Sequence, residues 1–521
     1  MRWMNGLEGG KTGRGDPEDR PGPGQLGSVA GAGQTARAMV ELGWPGRTLW
    51  PADVHRRWLS RASAAVADPS IPDADRLALT VDWVTALLDL GEDAGWAAAA
   101  RLPEDGATPQ ETQEVLRGGI NLGDSAMRWG CYAEARRRLA GALRLAGRHR
   151  YPQLRDLALT TLAHLDWFTG CWTGLGERAE ALASLGLPQA HPDAELVSGH
   201  LDTAAGMYRA AEEKLRHVLE AEQQRGVMHR TAEASAALAR LRLAEGHADE
   251  ARILTDGPMR VIMAKGIWLW AADLAPVRVQ ALVATGRLAE AAKLVATFGR
   301  GLRGHSAPAP RAALAGCQAI LAEGRGKPER AAELFGCAAT AWAALPRPYE
   351  ALLAGERRGH CLLAARQHEA GLAALRDAFR GLSRLPARGD AVRVMVALRE
   401  LGMEVERPRY GESAGPEPAT PQPEPATPAS APAGRPSRAA GPPRVAGRGR
   451  ARNRQVAGQI EHAYPGYHVW VSDTGWWYAT RVHPWARGQS ATVHGPGPGE
   501  LTDALAAEEA VVAGRAMAGA W

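Results

Sequence analysis

Trp129-Gly130-Cys131-Tyr132-Ala133-Glu134-Ala135 is the stretch on which the fold turns. Glycine accepts the left-handed backbone that closes a helix without a Cβ clash, so Gly130 reads as a helix stop. Tyr132 then packs over the turn, and Ala135, one turn into the next helix, is small enough to let two helix axes approach closely. Outward from it the plan recurs at Gly91, Gly130, Gly170, Gly206, Gly246, Gly286, Gly326 and Arg366, with intervals of 39, 40, 36, 40, 40, 40 and 40. Alanine follows five residues later at Ala135, Ala211, Ala251, Ala291 and Ala331. A fixed period of this length means stacked helical hairpins, each burying its apolar face only against its neighbours. Trp96, Leu175 and Gly371 take the alanine place in the other units, and those units depart most from the plan.

Around this comb the chain is helical in pattern from about Pro51 to Val405, as in Leu154-Arg155-Asp156-Leu157-Ala158-Leu159, where leucines return every three or four residues. Residues 1–45, rich in glycine, proline and charge, are expected to form a disordered tail. Residues 46–407 are expected to be a tetratricopeptide-like repeat domain. At 408–452 a proline- and arginine-rich linker follows, with Pro-Glu-Pro-Ala-Thr-Pro occurring twice. Residues 453–521 read as a small tryptophan-rich α+β domain in the order helix, three strands, helix. Tyr467–Val471 and Trp476–Val482 would flank a turn at Ser472–Gly475, and a third strand would include Ala491–Val493. The fold class is therefore mainly α, an α-solenoid of period about 40 residues plus that small domain.

Composition narrows the function classes. The chain of 521 residues is 45% hydrophobic and 23% charged, more than one core usually needs. Its five cysteines, Cys131, Cys171, Cys317, Cys337 and Cys361, include no Cys-x-x-Cys pair, so neither a disulfide framework nor a zinc site is expected. No secretory leader or membrane-length apolar run is read, and the cytoplasm is the expected compartment. Net charge is +5, yet nearly all of it is arginine in a chain biased to arginine, alanine, glycine and proline, so global charge says little about nucleic acid.

The repeat region resembles the C-terminal helical-repeat portion of the large LuxR-type ATPase regulators of actinobacteria, relatives of MalT. The resemblance is carried by Gly91-Glu92-Asp93-Ala94-Gly95-Trp96, Trp129–Arg136, His164–Gly170 and Leu345-Pro346-Arg347-Pro348-Tyr349, and by Ala397–Gly402 running to Arg407-Pro408. It spans roughly residues 80–410. It implies ligand-gated, ATP-driven assembly on DNA, with the repeats as sensor. Two departures limit it. Gly6-Leu7-Glu8-Gly9-Gly10-Lys11-Thr12 is one residue short of a phosphate-binding loop and follows no strand. After Pro408 comes the proline spacer, where such regulators carry a helix-turn-helix. ATP hydrolysis and sequence-specific DNA binding are therefore not carried over.

No catalytic constellation stands out, and neither a metal nor a cofactor is expected; His360 and Cys361 point about 100° apart on a helix. Of the 17 tryptophans, most within the array read as packing. Trp268 and Trp270, two apart on one helix, cannot both face one core, so one of them is expected on a concave binding surface, and Tyr349 is a similar candidate. Arg444, Arg448, Arg450, Arg452 and Arg454, beside the aromatic strand residue Trp477, are the candidates for nucleic acid, through phosphate contacts and base stacking. The expected function is non-enzymatic docking of a protein, peptide or small effector in the concave groove of an open, curved rod. The alternative is a transcriptional regulator touching DNA through the arginine tract.

Overall fold

The computed structural model describes residues 31–46, 48–186, 190–406, 446–465, 467–471, 477–481, 492–495, 497–503 and 505–506. The phosphate-loop-like stretch Gly6–Thr12, the twice-repeated proline segment and the turn Ser472–Gly475 lie outside these. The chain divides into two units, 1–415 and 416–521.

In the first unit, α1 (Ala32–Gly43) and α2 (Ala52–Val66) lead into hairpins: α3 (Asp73–Asp89) with α4 (Ala94–Ala99), α5 (Pro109–Trp129) with α6 (Tyr132–His149), α7 (Pro152–Phe168) with α8 (Leu175–Ser184), and α9 (Ala190–Ala205) with α10 (Tyr208–Arg225). Next come α11 (Met228–Ala244) with α12 (Ala248–Lys265), a 3-10 turn at Trp268–Ala271, and α13 (Leu274–Ala284) with α14 (Leu288–Gly301). Last are α15 (Pro308–Gly324) with α16 (Pro328–Ala344), α17 (Pro348–Ala364) with α18 (His368–Arg384), and α19 (Arg388–Glu400).

All eight comb positions sit between the helices of a pair with positive φ, from +61° at Arg366 to +89° at Gly130. The alanines one turn later are fully buried at Ala135, Ala211, Ala251, Ala291 and Ala331. Helix starts are marked by proline in the first turn of α5, α7, α15, α16 and α17, where a missing N–H costs nothing. Thr108 and Glu111 close a capping box on α5.

The expected tail over 1–45 is corrected at its end. Residues 32–43 are helical because Ala36, Met39 and Val40 recur at helical spacing and bury against Ala62, Val66 and Leu79.

First and second helices of each pair differ. α6 buries one stripe, Tyr132, Ala135, Leu139, Ala142 and Ala146. α11 buries residues all round, including Arg230, Ala232, Ala236, Leu238 and Arg242, and α7 does the same from Thr160 to Phe168. A helix buried on every side is enclosed on every side. The enclosure comes from winding. A Cβ at Gly130 would stand 2.9 Å from Ala309 Cβ, one at Gly170 would stand 2.5 Å from Pro348, and Gly389 lies against Gly206, so the turns at Gly130, Gly170 and Gly206 each meet a first helix five hairpins later. His305 Nδ1 bonds Gly91 O at 2.9 Å across the same seam. The array thus completes a superhelical turn and seats its second turn on its first. An open inner wall was expected; the interior is filled instead, because large side chains such as Trp167, Phe168, Trp342 and Tyr349 project inward from helices whose small residues let them close up.

In the second unit, α20 (Ala446–Ala463) precedes β1 (Tyr467–Val471), β2 (Trp477–Arg481) and β3 (Thr492–Gly495) in one antiparallel sheet, with Val469 opposite Ala479 and Ala479 opposite Val493. Alternation puts Tyr467, Val469, Trp477 and Ala479 on one face, where they bury against Ala457, Ile460, Leu501 and Leu505. α20 begins inside the span read as linker.

Candidate functional site

The three candidates for a binding surface, Trp268, Trp270 and Tyr349, are all core residues. Trp268 stacks on Phe298 with ring centroids 5.6 Å apart, and Trp270 packs against His229 at 5.9 Å; both indoles are buried. The expectation assumed an α-helix, in which residues two apart diverge. The segment is a 3-10 turn between α12 and α13, and both rings reach the interior from it. Tyr349 is buried too, beside Trp167 and Trp172, and its hydroxyl donates to Asp390 Oδ2 at 2.7 Å. Desolvation, reinforced by Asp390, pushes that phenol well above its usual range, so it stays a donor.

Along the otherwise filled superhelix interior lies a narrow cavity with room for about one water-sized sphere, about 10 Å³. Glu233, Ala236, Ala237 and Arg240 line it from α11 at spacings of three, four and seven, which is one face of that helix. Trp167 and Phe168 at the end of α7 and His200 from α9 form an aromatic wall. Asp273, Arg347 and Glu350 complete the lining. Trp167 is sandwiched between Trp172 at 4.5 Å and His200 at 4.8 Å, both nearly parallel to it. Burial drives His200 down to about 3 despite nearby Glu233, so its imidazole is neutral at physiological pH.

Most charges in this wall are already committed. Arg347 donates to Asp273 Oδ1 and Glu350 Oε1, each at 2.8 Å, while its guanidinium lies over Phe168 at 4.2 Å and Trp342 at 4.8 Å. Burial opposes its charge, but Glu350, Tyr132 and Asp273 outweigh that and hold it ionised. Glu233 accepts from Arg230 at 3.0 Å and lies 2.6 Å from His164 Nε2. Because Arg230 donates to His164 Nδ1, the hydrogen of the neutral imidazole sits on Nε2, beside Glu233. Arg230 also reaches Asp124 at 2.7 Å, bridging hairpins far apart in sequence. Arg240 is the exception: it makes no hydrogen bond or ion pair with any described residue. The cavity therefore offers aromatic faces and one uncommitted cation. Sequence reasoning missed this stripe because Glu233 and Arg240 look like an ordinary solvated pair until the winding encloses them.

The nucleic-acid candidates fare differently. Trp477, expected to stack on bases, is buried in the sheet core and has no free ring face, because the small unit spends its indole on filling that core. Arg448, Arg450, Arg452 and Arg454 fall on α20, with their side chains outside the described residues, and Arg444 lies outside them altogether.

No family model matches the chain, and no curated protein matches it. Among solved structures, a Rap protein complexed with competence and sporulation factor is similar over 73% of this chain and 99% of that chain, at 11% identity and a TM-score of 0.48. Nothing about ligand or mechanism follows from likeness at that level. No helix among the described residues is long and apolar enough to cross a membrane.

Proposed function

We propose that the first unit is a non-enzymatic, effector-gated docking protein of the cytoplasm, with the small second unit, an α+β domain, as a further module. The effector is a small anion or the carboxylate end of a peptide, held in the axial cavity. The observation that carries this is Arg240, a cation lining an aromatic cavity in which the acids and Arg347 are already paired. The cavity admits little more than one water-sized sphere, about 10 Å³, so a carboxylate end would enter only as the aromatic wall and Arg240 move apart. Occupancy would act on the two stacked turns at once, since α7, α9, α11 and α17 all contribute, and so would bias any partner surface built across them. The resemblance to the sensor region of LuxR-type regulators fits this role. DNA contact through the arginine tract gains nothing from Trp477.

The test is intrinsic tryptophan fluorescence, titrated with short peptides carrying free or amidated C-termini and with small carboxylates. Saturable binding that needs the free carboxylate, and that weakens at least about tenfold in Arg240→Ala, is expected from loss of a charge-assisted contact. Equal binding of amidated and free peptides, or no effect of Arg240→Ala, would refute the reading.

A further inference from the structure

Away from the cavity, α9 and α10 bring together His191, Glu195 and His217, whose donor atoms all lie within 4.8 Å of one another. We propose that these three residues form a binding site for a late first-row divalent cation of the zinc class. His191 and Glu195 are one helical turn apart on α9, so their side chains share a face; His217 faces them from α10. His191 Nε2 is 3.3 Å from Glu195 Oε1, and His217 Nδ1 is 2.5 Å from Glu195 Oε2. The two imidazoles meet edge to face with centroids 5.5 Å apart.

The second observation is the far side of His191. Its Nδ1 lies 2.8 Å from the carbonyl of Ala183, which has no proton to give, so Nδ1 must carry the hydrogen and donate it. That fixes the tautomer and leaves the Nε2 lone pair aimed at the cluster, the arrangement that backbone carbonyls impose on metal-binding histidines. Two neutral imidazoles and one carboxylate are a borderline-soft donor set, suited to zinc and its neighbours rather than to magnesium or calcium, which take oxygen. Three protein ligands leave a fourth position for water or an external group. The positive N-terminal end of α9 opposes a cation here, so the carboxylate is needed to offset it. Metal binding would tie the start of α9 to α10 and stiffen that hairpin. The sequence holds only the His191-x-x-x-Glu195 half of the pattern, and His217 joins it through the hairpin.

Zinc chloride titrated into the full chain by calorimetry, with Co²⁺ absorption as a check on geometry, tests this. One equivalent should bind saturably with release of protons, raise the thermal midpoint, and give the visible bands of a four-coordinate cobalt site. His217→Ala and Glu195→Gln should each weaken binding at least about tenfold. His217 is more than half exposed, so its variant is expected to keep the metal-free midpoint. His149→Ala, a histidine outside the cluster, should bind as the parent does. Absence of saturable binding, binding indifferent to either substitution, or weakening in only one of them would overturn the three-ligand site.

Discussion

Pressed against Trp167, the His200 imidazole is pushed by desolvation from its ordinary 6.5 to about 3. The unfolded chain accepts that proton below about 6.5 and the folded chain refuses it until about 3, so the unfolded state binds more protons in between and stability falls with acid at up to ~1.4 kcal/mol per pH unit. His55, lowered to about 4 by burial and by Lys265, acts in the same sense. Glu222, raised to about 7 by burial and Asp193, acts in the opposite one between about 4.5 and 7. Comparing the parent with His200→Phe isolates one contribution: between pH 6 and pH 4 the parent should lose ~2 kcal/mol more in urea unfolding. Equal slopes would mean that the ring meets water. Arg347→Ala leaves Asp273 and Glu350 facing a void and should cost ~3–5 kcal/mol; a loss below ~1 kcal/mol would show the pair to be solvated. At this scale the sequence was least readable. Trp268, Trp270 and Tyr349 are apolar anchors whose burial depends on a 3-10 turn and on a neighbour five hairpins away, and neither is written locally.

The hairpin is where sequence and structure agree most closely. Every comb residue from Gly91 to Arg366 has positive φ, because a short turn between antiparallel helices demands one left-handed residue, and glycine advertises the place. A second comb escaped notice. Arg150, Gly186, Gly226, Gly266 and Gly304 also have positive φ and mark the turns between hairpins, but no small residue follows them at a fixed distance to make the pattern visible. The two kinds of contact at comb glycines predict different costs. At Gly286 an added Cβ meets nothing within 4 Å, so Gly286→Ala should lose only the left-handed penalty, ~1–2 kcal/mol. At Gly130 the same methyl also meets Ala309, so Gly130→Ala should lose ~2–4 kcal/mol. Urea midpoints of the two variants measure the difference, and equal losses would mean that Gly130 touches nothing beyond its own hairpin.

Period alone does not set the pitch of a superhelix. The rotation from one hairpin to the next depends on side-chain volumes at every interface, so a forty-residue comb is compatible with an open rod as well as with two stacked turns. What marks stacking here is the all-round burial of α7 and α11, built on many small residues and spread over the helix rather than held in one motif. That stacking creates the axial cavity and enforces the burial of its charges. Gly389 tests it most directly. Its φ is ordinary, and it lies in the first turn of α19, where alanine in an isolated helix would be stabilising by up to ~1 kcal/mol. In the stacked superhelix its added Cβ would stand 2.5 Å from the Gly206 nitrogen, on the first turn. Urea unfolding of Gly389→Ala should therefore show a lowered midpoint, and a midpoint unchanged or raised would contradict the stacked superhelix.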